Sequence, residues 1–494
     1  MQTVRRSPWQ PLDRAALLTM LCLLGLIGLM LLSGDHTAPR VRDFSWQDRQ
    51  VSGEDVAFGL TFSRPMDNAS VERNLKLAPA LPGKISWAGN RMAYTLTTPV
   101  PYGTAVQVTL QDAQDRFTQA GPNRAKVQPF VGTFRSRDRA FAYIGTEPGE
   151  AGQLLLYNLT KQENTTLTPP NLEVTDFKPY PQSDRILFAA TAKTTPPQGF
   201  AEQKLYTVTT GISYAAPTAV GTAIAATPAT AAGQVELILD NPDYQNLKFD
   251  LSANGQVIVV QRVNRKNPTN FGPWILRPNA PAQPLNNQQP GGDFLITPDS
   301  DSLAISQGQG LALLPLRPQA DPLDFLPKFG MVLGFAKDGS AAAMVKFNTD
   351  YTRSLFIVTN QGTQKEIFKT TGSILQAQFS PDRQILYSLM TNLLPGETYR
   401  EQPYFAAIDL KTALQSRKAE AALRPLMLLP PQRDLQMSLA PDGLALLFDQ
   451  KIAVESSGQA PKAGRSLWLL PLSADRAASP VALPLPGFHP AWLP

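Results

Sequence analysis

The alternation of apolar and polar positions divides the chain into two unequal parts. From Ala15 to Leu32 eighteen residues pass without a charge, "AALLTMLCLLGLIGLMLL", about the length that crosses a bilayer core. Beyond residue 40 the pattern becomes short period-two alternation, the signature of half-buried strands. It is clear at "VAFGLTF" (56 to 62), "KISWA" (84 to 88), "MAYTLT" (92 to 97) and "AVQVTL" (105 to 110), with proline, glycine and asparagine in between. About seven such strands in roughly 95 residues predict a β-sandwich over residues 41–137.

From residue 138 to 494 a longer rhythm takes over. "FKPYPQSDRILFAA" at 177, "FDLSANGQVIVV" at 249, "FLITPDSDSLAIS" at 294, "FAKDGSAAAMV" at 335, "FSPDRQILYSL" at 379 and "SLAPDGLALLF" at 438 each read apolar residue, turn, apolar strand. Successive starts lie 72, 45, 41, 44 and 59 residues apart, and a partial copy, "FHPAWLP", begins 50 residues later at 488. A further strand follows each copy, as at "KLYTV" (204), "SLFIVT" (354) and "SLWLLPL" (466). A period in the forties with several strands per unit predicts a β-propeller, so the chain is all-β. Residues 140 to 170 lack the opening motif that the chain's end supplies. Residues 484 to 494 are therefore expected to add a strand to the unit begun by 140 to 170, giving seven blades, or six if that segment is a connector.

The repeat also decides how its carboxylates are read. Asp299, Asp338, Asp382 and Asp442, with Asn254 in the same place, all stand at the start of a turn, where proline pre-sets the backbone and a side-chain oxygen caps it. They are expected to be punctuation, not chemistry. Asp299 with Asp301 is expected to be solvated, and Asp67 in "RPMDN" to accept a turn hydrogen bond.

Composition narrows the function classes. Charged residues are 17% of the 494, and the 45 prolines suit a chain rich in turns. The net charge of +5 comes without a lysine or arginine run, which argues against nucleic acid. Cys22 is the sole cysteine, so no intrachain disulfide and no cysteine-based metal site exist, and His36 and His489 are the only histidines. No Gly-x-Ser-x-Gly elbow, Walker loop or Rossmann fingerprint occurs. No catalytic, cofactor-binding or metal-ligating residue is therefore expected. One loop is chemically richer: "QRVNRKNPTNFGPW" places Arg262, Arg265 and Lys266 beside Phe271 and Trp274, a mix found at interface hot spots. The competing reading has the two rings packing the hairpin while the cations stay wet.

The resulting organisation is a cytoplasmic segment at 1–14, a transmembrane anchor at 15–34, a sandwich at 41–137 and a propeller at 138–494. Arg5, Arg6 and Arg14 on the short side of the span, against Asp35 on the other, place the bulk of the chain outside the cytosol.

Two resemblances extend this picture. "LTFSRPMDNASV" at 60 to 71, Trp87 and "PYGTAVQVTL" at 101 to 110 resemble the bacterial Ig-like domain of surface-layer and adhesin-like proteins. The serine-proline-aspartate turn before an apolar strand resembles the repeat of TolB-like and WD-like propellers, over about residues 140 to 494. TolB itself lacks the span and the Ig-like domain, so its partners do not carry over. The propeller likeness is to a fold and not to a function; with the span and no local catalytic signature, the expectation is a single-pass protein of the bacterial cytoplasmic membrane, binding or scaffolding a protein, peptide or glycan of the cell envelope. The alternative is a propeller enzyme, a hydrolase or lyase, acting on an envelope polymer.

Overall fold

Phe58, Leu60 and Phe62 alternate with Ala57, Gly59 and Thr61 along the strand Ala57–Phe62, so one face of that strand is apolar and demands a cover. The computed structural model supplies it with a second sheet. Residues 11–33, 38–116, 125–194, 199–212, 230–285, 292–308, 310–317, 323–396, 398–416, 419–454, 462–472 and 479–494 are described. Residues 1 to 10, His36 and most of the small-residue stretch at 215 to 233 lie outside them. One four-stranded sheet runs Val41–Phe44, Ala57–Phe62, Arg91–Leu96, Gly83–Ala88, and the other Gln50–Val51, Phe130–Ser136, Ala105–Leu110, Leu75–Ala78. Between them lie Trp46, Phe58, Val108 and Phe134, with the Trp46 and Phe134 rings edge-on at 4.9 Å. One expectation needs correction: the turn at "RPMDN" opens a helix, Asn68–Asn74. Asp67 caps it by accepting from the Ser70 amide at 3.2 Å, so the turn chemistry of Pro65 and Asp67 belongs to a helix start.

The rest of the chain is a β-propeller. Five four-stranded antiparallel sheets follow one another along the chain, from Leu172–Pro179 to Leu423–Leu428, each in sequential order. The first strands of successive sheets touch one another, which makes them the inner wall of a ring. A seven-stranded sheet completes the ring through one strand, Val481–Trp492, that serves two neighbours. Its first half pairs with Lys462–Pro471, Val481 opposite Leu469. Its second half pairs with Ala140–Gly145, Gly487 opposite Gly145 and Trp492 opposite Phe141. The two ends of the propeller segment are thus joined in one sheet, as the sequence implies for residues 484 to 494.

Six connections between first and second strands share one geometry. In each the fourth residue is left-handed (Ser183, Gly255, Ser300, Gly339, Arg383 and Gly443, φ between 59° and 74°) and its amide bonds to the carbonyl three residues back at 2.8 or 2.9 Å. A reversal of this kind holds the register of the hairpin. The third residue's side chain completes it: Asp382 Oδ1 accepts from the Ser380 hydroxyl at 2.6 Å and the Gln384 amide at 3.1 Å. Asn254, Asp299, Asp338 and Asp442 accept in the same way from the amide two residues on. These carboxylates are punctuation, with one addition.

Asp442 also holds the two domains together. Its Oδ2, on a side chain with no solvent exposure, accepts from the Tyr102 amide of the sandwich at 3.0 Å and from Arg139 Nη2 at 2.6 Å. The Tyr102 hydroxyl in turn accepts from the Gly53 amide at 3.0 Å, and Arg137 donates to the main-chain oxygen of Pro494 at 2.9 Å. Lys337 pairs with Glu54 at 2.8 Å. All these contacts fall at the end of the ring that carries the left-handed turns.

The span expected over residues 15–34 is a helix, Pro11–Ser33, yet no helix among the described residues is long and apolar enough to cross a membrane.

Two substitutions probe this architecture. Trp492 is 6% exposed, edge-on to Phe141 at 5.3 Å, and its Nε1 donates to the Ser438 carbonyl at 3.1 Å. Trp492→Ala is expected to cost about 3–5 kcal/mol, seen as a lower denaturant midpoint for the full chain in detergent. Asp442→Ala strands Arg139 and the Tyr102 amide and is expected to cost about 3–5 kcal/mol; proteolysis between sandwich and propeller, near residue 138, should accelerate with it.

Candidate functional site

Because the sandwich sits on the turn end of the ring, the opposite end carries the connections between second and third strands. These hairpins present aromatic side chains to solvent. Phe347 is 56% exposed, Tyr351 91%, Leu393 41% and Tyr399 62%, all at the tips that follow Ala341–Phe347 and Ile385–Leu393 in two adjacent sheets. Large apolar side chains exposed on neighbouring hairpins mark interaction surfaces. Arg353, at the foot of the first tip, reaches across to the Gly372 carbonyl at 3.0 Å and ties the two sheets together. The Tyr399 hydroxyl bonds to Glu401, which also accepts from the Ser373 hydroxyl at 3.0 Å.

The loop singled out in the sequence is the equivalent hairpin of another sheet, between Ile258–Asn264 and Phe271–Leu276. The structure places its cations differently from the wet arrangement considered above. Arg262 is only 7% exposed, because its guanidinium packs on both the Tyr244 and Trp274 rings, 4.8 and 4.9 Å from their centroids. Burial pulls its pKa below the ordinary arginine value, against the opposing pull of Tyr244 and Asp243. Arg265 grips Glu202 of the preceding sheet with both terminal nitrogens, at 2.8 and 2.9 Å, and donates through Nε to the Asn241 carbonyl at 2.8 Å. Phe271 and Trp274 are half-buried, and Lys266 is exposed. Within the loop, then, Arg262 and Arg265 reach back to Asp240 and Glu202 before this sheet, Trp274 packs on Tyr244 and Arg262 within it, and Lys266 faces solvent.

A second feature is visible only in three dimensions. On the inner wall, at mid-depth, His489 Nε2 lies 3.3 Å from Asp176 Oδ1, and Lys178 pairs with Asp250 of the next sheet. Asp250 Oδ2 also accepts the Ile296 amide of the sheet beyond at 2.7 Å. His489 sits at an irregularity of the shared strand, between Phe488 and Ala491, with φ of 54°. That bulge turns its ring onto Phe177, centroids 5.0 Å apart. No local motif joins residues 176, 178, 250 and 489; only the closure of the ring does. Among the described residues no group of three acidic, histidine or cysteine side chains is placed to hold a metal ion.

Comparison with known proteins adds little beyond these geometries. No family model matches the chain, and no curated protein matches it. Solved structures align over long stretches at low identity. TolB from Acinetobacter baumannii is 11% identical, covering 83% of this chain and 82% of that one, with a TM-score of 0.39. An oligogalacturonate lyase in complex with manganese is also 11% identical, covering 65% and 83%, with a TM-score of 0.45. The propeller domain of a trilobed protease from Pyrococcus furiosus is 8% identical, covering 77% and 95%, with a TM-score of 0.39. The propeller assignment accordingly rests on the strand order of this chain.

The inner-wall histidine gives a pH prediction. Burial holds His489 below its ordinary value of 6.5, Asp176 opposes that, and Lys178 adds to it. The unfolded chain therefore takes up a proton near pH 6.5 that the folded chain refuses, and stability falls as pH drops through 6.5 toward the folded value. The His489 ring resonances should titrate with a midpoint below 6.5, and His489→Gln should flatten the loss of unfolding free energy between pH 7 and 5.

Proposed function

We propose that this protein is a membrane-anchored binding or scaffolding protein of the cell envelope, in which an Ig-like sandwich carries a seven-bladed propeller. The ring comprises the five four-stranded sheets and the two halves of the seven-stranded one. The observation that carries the functional reading is the asymmetry of that ring. One end is occupied by the sandwich through Asp442, and the other presents Phe347, Tyr351, Leu393 and Tyr399 uncovered. The partner is a protein, peptide or glycan of the envelope, and aromatic rings suit all three, since they offer large contact area at low entropic cost. What supports an anchor is the apolar helix Pro11–Ser33, whose Leu17, Leu18, Leu21, Leu24 and Ile27 side chains are exposed with no cover from the described residues. A bilayer supplies that cover, with the N-terminus in the cytosol and the bulk of the chain on the periplasmic side.

The alternative, an enzyme acting on an envelope polymer, has one observation in its favour: the His489 and Asp176 pair on the inner wall. An imidazole held neutral beside a carboxylate has the composition of a general base and its orienting partner.

Photo-crosslinking in intact cells separates the two. A crosslinker at Tyr351 or Tyr399 should trap envelope material, while one at Glu163, on an outer strand, should not. Equal yields from the three positions, or none, would remove the binding face. A polymer-cleaving activity lost in His489→Ala, with the crosslinks unchanged, would establish the enzyme instead.

A further inference from the structure

A cleft of about 330 Å³ lies where the sandwich meets the fifth and last four-stranded propeller sheet and its neighbour, on the face opposite the exposed aromatics. Clefts between domains are favoured places for small ligands, and this volume falls at the lower end of the usual range. Pro99 and Pro101 of the sandwich form one wall. Ile385, Leu444 and Leu472 of the propeller form an apolar floor.

Three polar groups are left for a ligand. Arg424, on the outer strand Leu423–Leu428, is exposed and, among the described residues, joins no ion pair or hydrogen bond. Asp382 spends Oδ1 on its turn, while its Oδ2 takes no bond. The Tyr387 hydroxyl, at the end of a largely buried side chain, also has none among the described residues. Arg424 and Asp382 do not pair with each other, although both act on the same phenol. Burial pushes Tyr387 above its ordinary value, the Asp382 charge adds to that, and the Arg424 charge opposes it. Asp442, the other carboxylate here, is consumed by Arg139 and the Tyr102 amide.

We propose that this cleft binds a zwitterion with an apolar side chain, a free α-amino acid. Arg424 takes the carboxylate, Asp382 Oδ2 and the Tyr387 hydroxyl take the ammonium, and the side chain lies on the proline and leucine surfaces. An unpaired cation and an unpaired anion flanking one apolar floor are complementary to that charge arrangement, whereas a ligand of single charge leaves one of them without a partner. The site is separate from the aromatic face, so it stands or falls independently of the binding role assigned there.

Isothermal titration of the full-length chain in detergent tests it with L-phenylalanine, phenethylamine and hydrocinnamate, which share the ring and differ in charge. L-Phenylalanine is expected to bind, and each singly charged analogue about tenfold or more weakly, as loss of a charge-assisted hydrogen bond implies. Arg424→Gln, at an exposed position, should weaken phenylalanine by a similar factor and leave the thermal midpoint unchanged. Asp382→Asn retains the turn acceptor and should do the same to the ammonium side. Leu472→Trp, which fills the cleft, should abolish the signal. No heat at millimolar phenylalanine, equal binding of either analogue, or affinity indifferent to Arg424→Gln would each overturn the proposal.

Discussion

Everything in the larger domain depends on one strand belonging to two sheets. Val481–Trp492 is twelve residues long, and its pairing changes partner near its middle, from Ser466 opposite Pro486 to Gly145 opposite Gly487. A propeller without that strand would expose two sheet edges, each a row of unpaired amides and carbonyls. Closure also forces successive inner strands close enough to bond by side chain to the neighbouring backbone. Gln376 and Gln378 accept the Met437 and Leu439 amides at 2.8 and 2.7 Å, and Ser438 accepts the Trp492 amide at 3.1 Å. At another junction the chain omits a side chain altogether, since a Cβ on Gly334 would lie 2.6 Å from the Ala377 carbonyl oxygen. The ring is stitched from within, one sheet to the next.

The turn carboxylates show how one local device serves two scales. Each holds its hairpin by accepting an amide two residues on, and that bond stabilises by only about 1 kcal/mol where solvent competes. In Asp442 the second oxygen is excluded from water and meets an arginine and a backbone amide from beyond its own sheet. There the same side chain fixes the sandwich to one end of the ring. That placement decides which end remains free, and so connects a turn residue to the face carrying Tyr351 and Tyr399.

Period-two alternation made the strands legible: "AVQVTL" and "VAFGLTF" are strands within one residue of where the pattern puts them. The turn role of Asp382 was legible too, because turn chemistry is local. Partners far apart in sequence were not. Tyr102 and Asp442 are 340 residues apart, and His489 meets Asp176 only through the closure. Nor did composition distinguish Arg262 from Lys266, since the burial of one and exposure of the other follow from the stacking of Tyr244 on the same sheet. Tyr351 in "NTDYTRS" and Tyr399 in "NLLPGETYREQP" stand in polar segments that read as hairpin loops, but only the fold shows that these loops and Phe347 lie at one end of the ring, in adjacent sheets.

Electrostatics weighs the inner wall and the hairpin end of the ring unequally as working surfaces. On the inner wall each carboxylate already faces a cation or a donor: Asp176 faces His489, and Asp250 faces Lys178 and the Ile296 amide. A substrate entering there would displace bonds that join neighbouring sheets, so any gain in binding would be offset by loss of stitching. At the hairpin tips the Tyr399 hydroxyl is engaged by Glu401, but Tyr351 is not tied in this way. Tyr351 holds no side-chain bond among the described residues, and burying it against a partner gains apolar contact without undoing any interaction among them. A surface whose occupation costs the fold nothing is the one on which a partner binds most favourably.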